Sequence, residues 1–210
     1  MDISITSVRA ISGGEEIEIC FAISDGEHSQ RQSFVVSSQQ YLVMGLSKGK
    51  SCEQDYDEAA RQSEIWSCTK KAMASLAYGN CSEKALRAKL VTKGFNRDVA
   101  RTVVEQIASR GLLSERSDAA EEASKMAKKL WGERRIIAEL YRKGYTDESV
   151  RYALCALEDD GVDYVESCRR LIMKRGVPSD ANETKKLFAA LMRYGYSSSQ
   201  IKQALECVND

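Results

Sequence analysis

The sequence predicts a mainly α-helical protein, in which three tandem three-helix repeats form an elongated, curved body behind a small N-terminal antiparallel β module. Two patterns carry this prediction. One motif recurs about every fifty residues after residue 57, and hydrophobic alternation with a period of two is confined to the first forty residues. A single proline, Pro178, in 210 residues also favours helix. The predicted bounds are 1–50 for the β module and 57–110, 111–161 and 162–210 for the repeats.

The β module is predicted from residues 16–23, where apolar side chains occupy every second position. Asp25-Gly26 then gives a turn signal, and residues 33–36 give a further apolar run. Together with Ile3, Ile5 and Val8, these segments predict three antiparallel strands. Residues 46–50 are interpreted as a helix end followed by a loop.

The repeated motif consists of two aliphatic residues four positions apart, a glycine, an aromatic residue and a helix-capping residue. The three copies are Leu86, Leu90, Gly94, Phe95 and Asn96; Ile136, Leu140, Gly144, Tyr145 and Thr146; and Leu187, Leu191, Gly195, Tyr196 and Ser197. Glycine just past a helix end adopts a left-handed conformation at low cost, and the next aromatic closes the cap with an apolar contact. Asn, Thr and Ser are good N-caps. Each copy therefore predicts a helix, a tight corner and a second helix.

Charge is unevenly distributed along a chain whose net charge is zero. Residues 1–60 hold four basic and ten acidic side chains, whereas residues 61–210 hold 27 basic and 21 acidic ones. The basic body predicts an anionic partner, although an ordinary solvated helix surface would give the same pattern. The candidate partner or nucleic-acid contacts are Lys125, Lys128, Lys129, Arg134, Arg135, Lys143, Arg169, Arg170, Lys174 and Arg175. Trp131 lies among them and is interpreted first as a packing residue and second as a stacking anchor.

The sequence offers little for catalysis or cofactor binding. His28 is the only histidine, and none of the seven cysteines falls in a C-x-x-C pair, so neither a metal site nor a disulfide framework is expected. Nucleotide-binding loops and nucleophile elbows are missing, and no apolar run reaches membrane-spanning length. We therefore expect a cytoplasmic protein that is not an enzyme and binds no cofactor.

Residues 132–145 resemble the central motif of the RecX family: a glycine, an Arg-Ile pair, a Glu-Leu pair and a glycine followed by an aromatic. Residues 82–95 resemble the first-repeat motif of that family, and residues 110–113 resemble the junction after it. The resemblance covers about residues 57–208. It departs from the family at Cys81, often arginine, at Ala85, often glutamate, and at Ser114, where an acidic residue often stands.

The resemblance implies a monomer that binds in the groove of RecA filaments on single-stranded DNA and inhibits strand exchange and filament growth. It leaves open whether the chain also contacts DNA directly. Two other functions fit the residues alone: a DNA-binding regulator built from tandem helix–turn–helix units, or a helical scaffold that binds only protein. Salt dependence of binding to bare DNA distinguishes them, because phosphate contacts release counterions.

Overall fold

The N-terminal sheet has four antiparallel strands in the order β3-β2-β1-β4. Their bounds are β1 Asp2–Ile11, β2 Glu16–Ser24, β3 Ser29–Ser37 and β4 Gly49–Ser51. The prediction of three strands was wrong in number, because β4 lies in the segment interpreted as a loop. A three-residue strand with the sequence Gly-Lys-Ser has no hydrophobic alternation, and its position is set by backbone pairing with Ile3–Ile5.

A computed structural model describes residues 2–24 and 28–209. The turn predicted at Asp25-Gly26 lies outside the described residues. The chain forms two units, one made of residues 1–77 and 89–106 and the other of residues 78–88 and 107–210. The division into one β module and three repeats at the predicted bounds remains a prediction.

One buried carboxylate ties the sheet to the long helix of the first unit. Helix α1 spans Ser38–Met44 and α2 spans Glu53–Leu76. The Glu16 carboxylate on β2 accepts hydrogen bonds from Lys70 Nζ at 2.6 Å and Trp66 Nε1 at 2.7 Å, both on α2, and from Ser12 Oγ at 2.6 Å. These bonds, led by that from Lys70, lower the pKa of Glu16 to about 2. Ile19, Phe21 and Val36 are fully buried in the sheet, and the first two belong to the alternating run of residues 16–23.

Eight further helices follow, joined by short connections. They are α3 Glu83–Thr92, α4 Arg97–Ser109, α5 Glu115–Lys128, α6 Glu133–Arg142, α7 Asp147–Asp159, α8 Tyr164–Arg175, α9 Ala181–Arg193 and α10 Ser198–Asn209. One core cluster is built on α5, α6 and α7, around Ile136 and Leu140, and another on α8, α9 and α10, around Ile172 and Leu191. Among the described residues, no helix is long and apolar enough to cross a membrane.

The three predicted corners are present. Gly94, Gly144 and Gly195 have φ angles of 95°, 86° and 95°. The amide of the aromatic residue after each glycine donates to the carbonyl of the second aliphatic: Phe95 to Leu90, Tyr145 to Leu140 and Tyr196 to Leu191, at 3.2–3.3 Å. The side chains of Asn96, Thr146 and Ser197 accept amide hydrogen bonds at the starts of α4, α7 and α10. Local sequence therefore determines each corner.

Candidate functional site

The start of α6 meets the corner between α9 and α10 through backbone atoms. The Gly132 amide donates to the Tyr194 carbonyl at 2.8 Å, and the Arg134 amide donates to the Gly195 carbonyl at 3.2 Å. Amides at a helix start and carbonyls at a helix end lack partners within their own helices, so each end here satisfies the other. A Cβ atom added at Gly132 would lie well under 3.0 Å from backbone atoms of Gly195, and one added at Gly195 would lie equally close to Arg135. This closed contact is called the second junction below.

Arginine and aromatic side chains stack across the second junction. The guanidinium carbon of Arg135 lies 3.9 Å from the Trp131 ring centroid and 5.0 Å from that of Tyr194. Arg175, at the end of α8, lies 4.5 Å from the Tyr194 centroid. These distances are within the range of cation–π attraction. Arg135 therefore packs against both aromatic rings, and Arg142 is the residue that pairs with Glu139.

Trp131 is partly buried and packs against the core of α5, α6 and α7. Arg135 lies over its ring. This arrangement is the packing role that the sequence analysis ranked first.

The structure joins two basic segments that are distant in sequence. Lys128 from the end of α5 and Arg170 from α8 line one groove of about 430 Å³, together with Ser124 and Ser167. Arg135 and Arg175 both lie over the ring of Tyr194. The clusters at 125–135 and 169–175 therefore flank the same junction.

Ion pairs divide the ten predicted contact residues into two groups. Lys125 pairs with Glu121 at 2.8 Å, Arg169 pairs with Glu166 at 2.6 Å, and Lys143 pairs with Glu122. Within residues 2–24 and 28–209, the others have no carboxylate partner within 4.0 Å. We call these seven the basic junction: Lys128, Lys129, Arg134, Arg135, Arg170, Lys174 and Arg175.

Asp160, Asp163 and Glu166 also line the groove beside Lys128 and Arg170. The charge around the groove is therefore mixed, with Lys128 and Arg170 among its lining residues beside these carboxylates. Among the described residues, no group of three or more His, Cys, Asp or Glu side chains is placed to hold a metal ion. The arrangement can attract and orient an anionic surface.

The start of α3 meets the corner between α6 and α7 in a related way, here called the first junction. The Ser82 hydroxyl donates to the Lys143 carbonyl at 2.8 Å and accepts from the Ala85 amide at 3.1 Å. The Glu115 carboxylate accepts from the Glu83 amide at 3.0 Å and from the Thr146 hydroxyl at 3.2 Å. Side chains therefore do at the first junction what backbone atoms do at the second.

Sequence reasoning did not single out Tyr194 as a site residue. Tyr194 immediately precedes its corner glycine, and the corresponding residues before Gly94 and Gly144 are Lys93 and Lys143. The break in this repeated lysine is the one local signal that could have identified Tyr194. Nothing local indicates that it lies beneath Arg135.

Comparison with known proteins identifies relatives across most of the chain. A regulatory protein RecX from Xanthomonas axonopodis pv. citri is 29% identical over 137 residues, which cover 64% of this chain and 83% of the relative. A regulatory protein RecX from Clostridium acetobutylicum is 26% identical over 181 residues, which cover 83% of this chain and 84% of the relative. The chain is therefore similar to regulatory proteins named RecX over most of its length. No family model matches it.

Solved structures show that the fold is shared as well. A crystal structure of regulatory protein RecX superposes with a TM-score of 0.74 at 20% identity, covering 95% of this chain and 98% of the other. RecX from Lactobacillus salivarius superposes with a TM-score of 0.60 at 20% identity, covering 70% and 97%. The first match extends over nearly the whole chain, so it includes the N-terminal sheet as well as the helices.

Proposed function

We propose that this chain is a non-enzymatic, cytoplasmic regulator that binds in the groove of the RecA filament and inhibits strand exchange and filament growth. Similarity to relatives named regulatory protein RecX supports the regulatory class. The proposed contact surface is the basic junction. It is chosen because its seven cationic side chains lack a carboxylate partner in the described part of the chain.

Charge and rigidity together explain how this surface would act. A cation already paired with a carboxylate contributes little to a new contact, whereas an unpaired one adds attraction and a faster encounter with an anionic surface. Stacking on Trp131 and Tyr194 fixes the planes of Arg135 and Arg175 and leaves guanidinium edges to donate hydrogen bonds. Several such contacts on one frame bind together through their effective concentration. Bound in the groove, the chain would bridge neighbouring recombinase subunits and oppose their rearrangement.

The test replaces four cations of the basic junction that lie outside the stack. Lys128, Lys129, Arg134 and Arg170 are exposed, so their joint replacement by alanine should leave the fold intact. We expect weaker binding to filaments assembled on single-stranded DNA, a smaller dependence of that binding on salt, and less inhibition of strand exchange. Arg135 is left in place because its loss would disturb Trp131 and Tyr194.

A matched control removes the same charge from exposed positions elsewhere: Lys71, Arg97, Lys185 and Lys202, all changed to alanine. If both variants bind filaments alike, the basic junction is only a solvated surface. The same titration on bare single-stranded DNA without RecA separates filament recognition from DNA binding, because only a direct DNA contact would give a steep salt dependence there. Hydrolysis of ATP by the purified chain alone would contradict the non-enzymatic assignment.

A further inference from the structure

The starts of α3, α6 and α9 occupy equivalent places in the repeated motif. Counting back from the corner glycines aligns Ser82 with Gly132 and Glu183, and Ala85 with Arg135 and Lys186. At α3 and α6 this face is covered by the next corner, through Ser82 and Lys143 in one case and Gly132 and Tyr194 in the other. At α9, among the described residues, the first amides donate to the Asp180 side chain and not to the carbonyl of a corner.

The equivalent face of α9 carries a groove of about 510 Å³. Val177, Pro178, Leu187 and Ala190 give it an apolar lining, and Arg175 and Lys186 add two cations. Val177 is 47% exposed. Apolar side chains are therefore open to solvent at the place where the other two helices are covered.

Glu183, the acidic residue that lines this groove, already has hydrogen-bond donors within its own segment. The Glu183 carboxylate accepts hydrogen bonds from the Ser179 amide and hydroxyl, both at 2.8 Å, and these bonds lower its pKa. Asp180 caps the first amides of α9. The helix start therefore needs no carbonyl from a neighbouring corner, and an occupant would be held by side chains. The charge left to meet that occupant is positive.

We propose that this groove binds a partner peptide in which an apolar anchor side chain is flanked by carboxylates. The anchor fills the space over Val177 and Leu187, as the next corner covers the equivalent faces of α3 and α6. The flanking carboxylates pair with Arg175 and Lys186, the guanidinium by a bidentate contact.

A second copy of this chain is the other conceivable occupant, through its open first corner. A Cβ atom at Gly94 would meet no described atom within 4 Å, so that corner is accessible. It is flanked by Lys93 and Arg97, both exposed. These cations would face Arg175 and Lys186, and like charges at a contact oppose binding. Charge therefore favours the acidic peptide.

The experiment titrates the full chain with a fluorescent synthetic peptide that has a central phenylalanine flanked by aspartates. We expect saturable binding that Lys186→Glu weakens by roughly tenfold or more, the effect of losing one desolvated charge contact. The matched control is Lys185→Glu, which changes the same charge at an exposed neighbour outside the groove. Replacing the peptide's phenylalanine by serine should weaken binding by a similar factor.

Equal effects of the two lysine variants, or equal binding of the serine peptide, would overturn the proposal. So would concentration-dependent self-association that Phe95→Ser abolishes and the acidic peptide does not compete with, since the occupant would then be a second copy. Lys186 is not in the basic junction. Filament binding that survives Lys186→Glu while peptide binding is lost would therefore separate this groove from the proposed recombinase contact.

Discussion

The two junctions of the helical unit solve one packing problem by different means. At the second, backbone amides of α6 reach the carbonyls at the end of α9, and Gly132 and Gly195 leave no room for a Cβ atom. At the first, the Ser82 side chain spans the gap to Lys143, and a Cβ atom at Gly144 would lie 3.0 Å from the Ser82 hydroxyl. A glycine can therefore be required for its backbone conformation alone, as at Gly94, for close approach alone, as at Gly132, or for both, as at Gly195.

The largest expected effect comes from adding one methyl group at the second junction. Gly132 has a φ of −76°, which alanine also adopts, so Gly132→Ala tests close approach alone. Gly94→Ala tests positive φ alone, and Gly195→Ala combines the two. We expect losses in the free energy of unfolding of about 1 kcal/mol for Gly94, about 2 for Gly132 and about 3 or more for Gly195. Urea unfolding at constant m-value measures these losses.

Equal losses at Gly94 and Gly195 would contradict the idea that close approach matters at the second junction. A Gly132→Ala variant as stable as the wild type would mean that α6 and α9 can move apart without cost. Because Gly132 also precedes Arg135, the stacking of Arg135 on Trp131 should loosen in the same variant, and tryptophan fluorescence reports that change.

A smaller effect is expected at the first junction from Gly144→Val. The φ of 86° is unfavourable for a β-branched residue, and the new side chain would press on Ser82 and Lys84. We expect a loss of about 2 kcal/mol in the free energy of unfolding. In a Ser82→Ala background the additional loss should be smaller, because the nearest atom is gone. An unchanged melting temperature in the single variant would count against the role of Gly144 in ending α6.

Sequence patterns predicted the parts of this molecule that depend on neighbours in the chain. Each of these parts depends on a few neighbouring residues, so a short segment of sequence is enough to predict it. Examples are the corner at Gly144, the cap at Thr146 and the alternation around Ile19. The basic residues were also visible. Their partners were not all visible, because Lys143 pairs with Glu122, which lies 21 positions away on α5.

The parts that could not be predicted depend on how helices approach one another. Gly132 and Gly195 are in contact although they are 63 residues apart in the sequence. Arg135 lies over Tyr194, which is 59 residues away. A glycine before α6 predicts only a flexible start, since Ser82 occupies the same place before α3. Strand β4 was missed for the same reason, because its only determinant is the edge of β1.

Ser82→Ala should cost less than the changes at the second junction. The variant leaves the Lys143 carbonyl and the Ala85 amide without the Ser82 hydroxyl, and loss of a buried cap is worth about 1–2 kcal/mol. Ser82→Gly imitates the second junction. Because glycine is a tolerable N-cap and would allow closer approach, we expect it to be more stable than Ser82→Ala. Thermal unfolding of the two variants decides this, and the reverse order would show that the two junctions cannot be interconverted.

The smallest effects distinguish the two corner tyrosines, which occupy equivalent positions. The Tyr196 hydroxyl donates to the Leu130 carbonyl at 2.7 Å, whereas the Tyr145 hydroxyl is buried and has no hydrogen-bond partner among the described residues. Tyr196→Phe should cost about 1 kcal/mol, because the Leu130 carbonyl loses its donor. Tyr145→Phe removes a polar atom that is buried at a cost, so it should be neutral or stabilising by up to about 1 kcal/mol. Burial raises the pKa of both phenols, so neither ionises near neutral pH, and the comparison can be made there by urea unfolding. If the two variants lose equal stability, the Tyr145 hydroxyl has a partner in solution, and the junctions are more alike than their hydrogen bonds indicate.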